Sequence, residues 1–129
     1  MASNYVVQNW FPIDDYFNCE GVLDDYEGFR VLARGESKLS PMYRISFDAV
    51  VAYSSVEESS SFNDPKRAPG FGSKNCCFKV ERSWYLSELH EISSGVREGD
   101  DIYHYALYFS NQCIDILAYG QPKVENLNE

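Results

Sequence analysis

At 129 residues the chain is long enough for one hydrophobic core and too short for two. Eleven Lys and Arg against twenty Asp and Glu leave a formal charge of -9, which argues against nucleic-acid binding and against attachment to anionic membranes. Ten Tyr and eight Phe favour strands over a helical bundle.

The segment 1–10 has neither the basic start nor the long apolar stretch of a secretory signal, and no apolar run approaches the roughly 20 residues of a membrane helix. A cytoplasmic location is the expectation. Residues 5–10 (YVVQNW) read as a short strand, ended by Pro12. Residues 12–27 carry six acids, Asp14, Asp15, Glu20, Asp24, Asp25 and Glu27, and no base; the first basic residue of the chain is Arg30. This segment shows no regular period and is interrupted by Pro12 and Gly21, so it is expected outside the sheet core.

Regular alternation starts at 28–35, where Phe29, Val31 and Ala33 share one face of a strand bounded by glycines. A turn at 35–41 then leads to the clearest strand, 42–53, with Tyr43, Ile45, Phe47, Ala49, Val51 and Tyr53 on one face. Its other face is polar to Asp48 and apolar beyond it, as if it became covered. The two runs are expected to pair antiparallel. Residues 54–75 are rich in Ser, Pro and Gly and read as a long loop, and 76–82 as a strand with Phe78 and Val80 on its buried side.

One good helix follows at 83–94, with Ser83 as N-cap, an apolar stripe of Tyr85, Leu89 and Ile92 with Leu86 beside it, and Gly95 at the left-handed C-terminal position. Further on, Ser110-Asn111 separates two strand-like runs. A two-residue turn there places Leu107 opposite Ile114, Tyr105 opposite Ile116 and Tyr103 opposite Ala118, so both strands agree on their apolar side. The other side carries His104, Ala106, Tyr108, Cys113, Asp115 and Leu117. Residues 123–127 read as a short edge element.

The chemistry-bearing residues are few. His104 and Asp115 fall diagonally on one face of this hairpin with Cys113 nearby, so His104 and Asp115 could form a base with Cys113 as nucleophile. The bland reading of the same residues is a half-buried histidine with one hydrogen bond. His90 reads as solvent-facing. No CxxC occurs, and adjacent Cys76 and Cys77 point to opposite faces of a strand, so free thiols and no metal site are expected of Cys19, Cys76, Cys77 and Cys113. The PGFG run at 69–72 is not a phosphate loop, and the acids lack EF-hand spacing, so no cofactor is expected. Asp14, Asp15, Asp24 and Asp25, interleaved with Trp10, Phe17 and Tyr26, form the candidate surface for a basic protein partner. The alternatives are a solvated acidic face and aromatics that cover one edge of the core.

The C-terminal third carries a pattern: Trp84-Tyr85-Leu86, Leu89-His90, Gly95, His104-Tyr105, the run Cys113 to Ala118, and Pro122-Lys123-Val124. It resembles a group of small uncharacterised bacterial proteins, some of which look like immunity proteins of polymorphic toxin systems. The resemblance implies a small, acidic, cytosolic protein that binds and does not catalyse. The expectation is a single α+β domain over 1–129, with a mainly antiparallel sheet of about five or six strands and the 83–94 helix packed on it. The expected function is non-enzymatic protein binding, as an immunity-type inhibitor of a basic bacterial toxin. The alternatives are a small-molecule-binding or hydrolytic domain with a His/Asp/Cys site in a sheet-lined pocket, and a structural domain that dimerises through a sheet edge.

Overall fold

The alternation read at 28–35 does what it predicts: Phe29, Val31 and Ala33 are buried and the strand runs Gly28–Gly35. In the computed structural model, which describes residues 4–7, 15–37, 39–57 and 77–128, this strand belongs to a four-stranded sheet. Its members are β2 (Phe17–Asp25), β3 (Gly28–Gly35), β4 (Met42–Phe47) and β9 (Lys123–Asn126), ordered β2-β3-β4-β9. A second, five-stranded sheet is ordered β1-β6-β7-β8-β5. Its strands are β1 (Asn4–Val7), β5 (Val50–Glu57), β6 (Cys77–Glu81), β7 (Tyr103–Tyr108) and β8 (Gln112–Ala118). Among the described residues every pairing is antiparallel, and one helix, α1 (Trp84–Ile92), contacts β7 and β8. The expected α+β class with mainly antiparallel strands is therefore observed. The expected single sheet of five or six strands is corrected to two sheets and nine strands among the described residues.

The correction originates inside the 42–53 run. This run is two strands, β4 and β5, that lie in different sheets. The chain bends between them at Asp48-Ala49, where Ala49 takes φ 52, a left-handed conformation unusual for a residue with a side chain. The change from a half-polar to an apolar pattern beyond Asp48 marks a strand leaving one sheet for the other. The expected pairing with 28–35 holds for β4 alone, from Phe29 opposite Phe47 to Arg34 opposite Met42.

The two sheets pack face to face around a shared core. Phe17, Phe29, Val31, Tyr43, Ile45 and Phe47 come from one side, and Cys77, Tyr105, Leu107, Ile114, Ile116 and Ala118 from the other. The rings of Phe47 and Tyr105 meet across the interface with centroids 5.6 Å apart. The expected β7–β8 register is observed, with Tyr103, Tyr105 and Leu107 opposite Ala118, Ile116 and Ile114, and Phe109 N–H donates to the Gln112 carbonyl across the turn. That turn also joins the sheets. Ser110 N–H donates to the Phe17 carbonyl (2.8 Å), and the Asn111 side chain bonds both the N–H and the C=O of Cys19.

Residues 17–25, expected outside the sheet core, form strand β2. The period is hidden because the pairing jumps from Cys19–Ala33 to Gly21–Leu32, which leaves Glu20 as the extra residue of a β-bulge. The strand expected at 5–10 is observed as Asn4–Val7, paired with β6; residues 8–10 lie outside the described residues. The stretch expected as a loop at 54–75 begins later, because β5 runs to Glu57; 58–76 lie outside the described residues. In β6 both faces are covered: Cys77 faces the core between the sheets, while Phe78 and Val80 join a second cluster with Ala106, Tyr108 and Cys113. The edge element expected at 123–127 is β9, paired with β4.

Helix α1 lies against the outer face of the five-stranded sheet. Ser83 caps it as expected, its Oγ accepting from Leu86 N–H. Its apolar stripe is only partly used: no helix residue is buried, and Ile92 is exposed. Burial is concentrated near the N-terminus, where Trp84 and Tyr85 meet the sheet. At the other end Ser94 and Gly95 both take left-handed φ, with Ser94 N–H bonded to the Glu91 carbonyl and Gly95 N–H to the His90 carbonyl.

Candidate functional site

The site begins where β6 becomes α1. Arg82 takes φ 49 and turns the chain out of the strand, and Ser83 follows in an extended conformation as N-cap. This puts the Ser83 hydroxyl 2.7 Å from His104 Nδ1 on the neighbouring β7. On the other side of the ring, His104 Nε2 is 2.8 Å from Asp115 Oδ1 on β8. Tyr108 donates its hydroxyl to the same oxygen at 2.7 Å. Ala106 sits opposite Asp115 in the register, and His104 and Tyr108 flank it on β7. The small Ala106 side chain lets both longer ones lean in diagonally.

The proton positions follow from the partners. In the neutral ring, Nε2–H donates to Asp115, which leaves Nδ1 to accept the Ser83 hydroxyl proton. Ser83, His104 and Asp115 are 7%, 1% and 0% exposed, so water competes little for these bonds. The rings of Trp84 and Tyr85 stand edge-on to the imidazole, with centroids 5.5 and 5.7 Å away. Beside Ser83 and His104 opens a cleft of about 380 Å³, lined also by Val80, Arg82, Leu86, Ser87, His90, Ile102 and Tyr103. His90, expected to face solvent, is half-buried on its wall.

The diagonal pairing of His104 with Asp115 is thus present as a direct hydrogen bond. Cys113 is not the nucleophile beside it. It lies on the same face but opposite Tyr108, four residues along the strand from His104, or roughly 13 Å at strand rise. Asp115 lies between them. The group that occupies the nucleophile's place is Ser83, which the sequence marks only as a helix cap. It lies on a different element 21 positions before His104, and no spacing rule connects the two.

The acidic residues divide three ways. Asp15 is buried and works internally, accepting from Tyr16 N–H (2.7 Å), Ser37 N–H and Ser40 Oγ–H (both 3.2 Å). A Cβ at Gly35 would stand 2.6 Å from its Oδ2 and 2.5 Å from Ser40 Oγ, so a side chain there would displace these groups. Asp15 is therefore corrected from a partner contact to a structural acceptor. Phe17, 1% exposed and edge-on to Tyr43, is likewise a core residue and not a surface contact. Its burial comes from β2 being a strand of the sheet. Trp10 and Asp14 lie outside the described residues.

Asp24, Asp25 and Tyr26 lie at the tip of the β2–β3 hairpin with Glu27, all exposed, and Tyr26 is 96% exposed. Asp25 pairs with both terminal nitrogens of Arg30 (2.8 and 3.2 Å) and accepts from Glu27 N–H. The Arg30 hydrogen bond holds its carboxyl below the usual carboxylate range.

Hydrogen bonds, first from Ser37, hold the Asp15 carboxyl below its ordinary value against the opposing effect of burial. A lowered native pKa means the unfolded state binds the proton more readily. The contribution of Asp15 is therefore full above its unfolded value near pH 4 and is lost as pH falls through the native one. Asp15→Asn is expected to flatten the acid limb of stability against pH, measured as denaturant midpoints between about pH 2 and 6. An unchanged acid limb counts against this role.

No family model, no curated protein and no solved structure matches the chain. Among the described residues no helix is long and apolar enough to cross a membrane, and no group of three or more His, Cys, Asp or Glu could hold a metal ion. Cys77 and Cys113 are buried and Cys19 is half-buried.

Proposed function

We propose that the protein is a cytoplasmic protein-binding domain, an immunity-type inhibitor of a basic bacterial toxin, which it meets with the tip of the β2–β3 hairpin. The observation that carries this reading is Tyr26, an almost fully exposed aromatic set among Asp24, Asp25 and Glu27. An aromatic so exposed gains most from a partner that covers it, and Tyr is among the side chains that most often anchor interfaces. The hairpin tip is preorganised: Asp25 is tied back to Arg30 by two bonds, and Gly28 supplies φ 109 at the turn. A fixed tip loses little entropy on docking. The formal charge of -9 favours a cationic partner and speeds its approach.

The test takes the product of the gene directly upstream of this chain's gene, which this reading expects to be a basic toxin, and measures its binding. Tyr26→Ala is expected to weaken binding by about 30-fold, mostly through faster dissociation, as for an anchor worth about 2 kcal/mol. Asp24→Lys with Glu27→Lys is expected to slow association at low salt and flatten its salt dependence. Unchanged affinity and salt slope in all these folded variants would make the tip an ordinary solvated surface.

A further inference from the structure

The Ser83–His104–Asp115 chain lies on the outer face of the other sheet and has no part in hairpin docking. We propose that it is a hydrolytic site for small carboxylic esters, with Ser83 as nucleophile, His104 as general base and acid, and Asp115 as the group that orients the imidazole. Three observations converge on it. Ser83 Oγ and His104 Nδ1 are at proton-transfer distance, and His104 Nε2 is held by Asp115 Oδ1. Ser83 and His104 both line the cleft, so the pair borders a space a substrate can enter. Ser83 stands at a strand-to-helix turn after the left-handed Arg82, where Leu86 N–H and the positive end of the α1 dipole favour negative charge on Oγ.

The steps balance. Ser83 Oγ attacks the ester carbonyl carbon while its proton passes to His104 Nδ1, and the imidazolium is stabilised through Nε2–H by Asp115. The bond to the alcohol oxygen breaks, and that oxygen takes the proton from Nδ1 as the alcohol leaves. A water molecule then gives its proton to Nδ1 and its oxygen to the acyl carbon. Ser83 Oγ departs, regains the proton, and the carboxylic acid is released. The net reaction is ester plus water to acid plus alcohol.

The cleft suits a small substrate. Its volume is at the lower end of ligand pockets. Its lining combines the apolar Val80, Leu86 and Ile102, suited to an acyl chain, with the polar Arg82, Ser87 and His90.

The experiment treats the full chain with diisopropyl fluorophosphate and maps the adduct by peptide mass, alongside hydrolysis of p-nitrophenyl acetate. The expected result is one phosphoryl adduct, on Ser83, and ester turnover above background. Ser83→Asn keeps a capping side chain that can still donate to His104 but is no nucleophile. It is expected to fold, take no adduct and hydrolyse at background rate. Asp115→Asn, shown by circular dichroism to be folded, is expected to label about 100-fold more slowly or worse. The proposal is overturned if wild-type Ser83 takes no adduct, if Ser83→Asn hydrolyses at the wild-type rate, or if folded Asp115→Asn labels as fast as wild type.

Discussion

Replacing Asp115 with Ala is expected to destabilise the protein by about 3–5 kcal/mol, a large share of the total stability of a small domain. The side chain is 0% exposed, and its Oδ1 accepts from both His104 and Tyr108. Truncation removes that acceptor from two donors at once in a place water reaches poorly, and each buried group left without its partner costs about 1–3 kcal/mol. The cavity left by the carboxyl adds to this. Asp115→Asn keeps an oxygen at the same position and is expected to cost about 1–2 kcal/mol. The measurement is the denaturant midpoint at unchanged m, with the corresponding His104→Ala single and double variants to isolate the coupling. A loss below about 1 kcal/mol for Asp115→Ala would mean that the network is well hydrated in solution.

Phe17→Ala is expected to cost about 3–5 kcal/mol, because Phe17 is a fully buried ring at the junction of the sheets. Its side chain packs edge-on against Tyr43, and its carbonyl accepts from Ser110 of the β7–β8 turn. Phe17→Leu keeps most of the volume and is expected to cost about 1–2 kcal/mol. Any loss of partner binding in Phe17→Ala should then follow the loss of folded protein. Tyr26→Ala, by contrast, should leave the unfolding midpoint unchanged. If Phe17→Ala kept wild-type stability, β2 would not be part of the core sheet in solution.

The candidate site was half legible. Alternation along 103–108 and 112–118, together with a two-residue turn, sufficed to place His104 and Asp115 diagonally on one face. The same alternation put Cys113 on that face too, but the register read from the turn sets it opposite Tyr108, four positions along the strand from His104. Ser83 was legible as a cap and invisible as a partner of His104, because that contact depends on where α1 settles on the sheet. The acidic segment misled for a local reason: the extra residue Glu20 shifts the alternation in the middle of β2, so no face runs through it.

Local chemistry settles the elements that need only their neighbours. The strand at 28–35, the Ser83 cap, the turn at Ser110-Asn111 and the β7–β8 register follow from spacing, capping and turn residues, since each contact lies within a few positions along the chain or across a tight turn. The division into two sheets, the bend at Ala49, the burial of Phe17 and Asp15 and the hydrogen bond from Ser83 to His104 belong to the tertiary structure. Each depends on surfaces from distant segments meeting. A run of apolar residues records that a face will be covered, but it carries no information about which strand, sheet or helix will cover it.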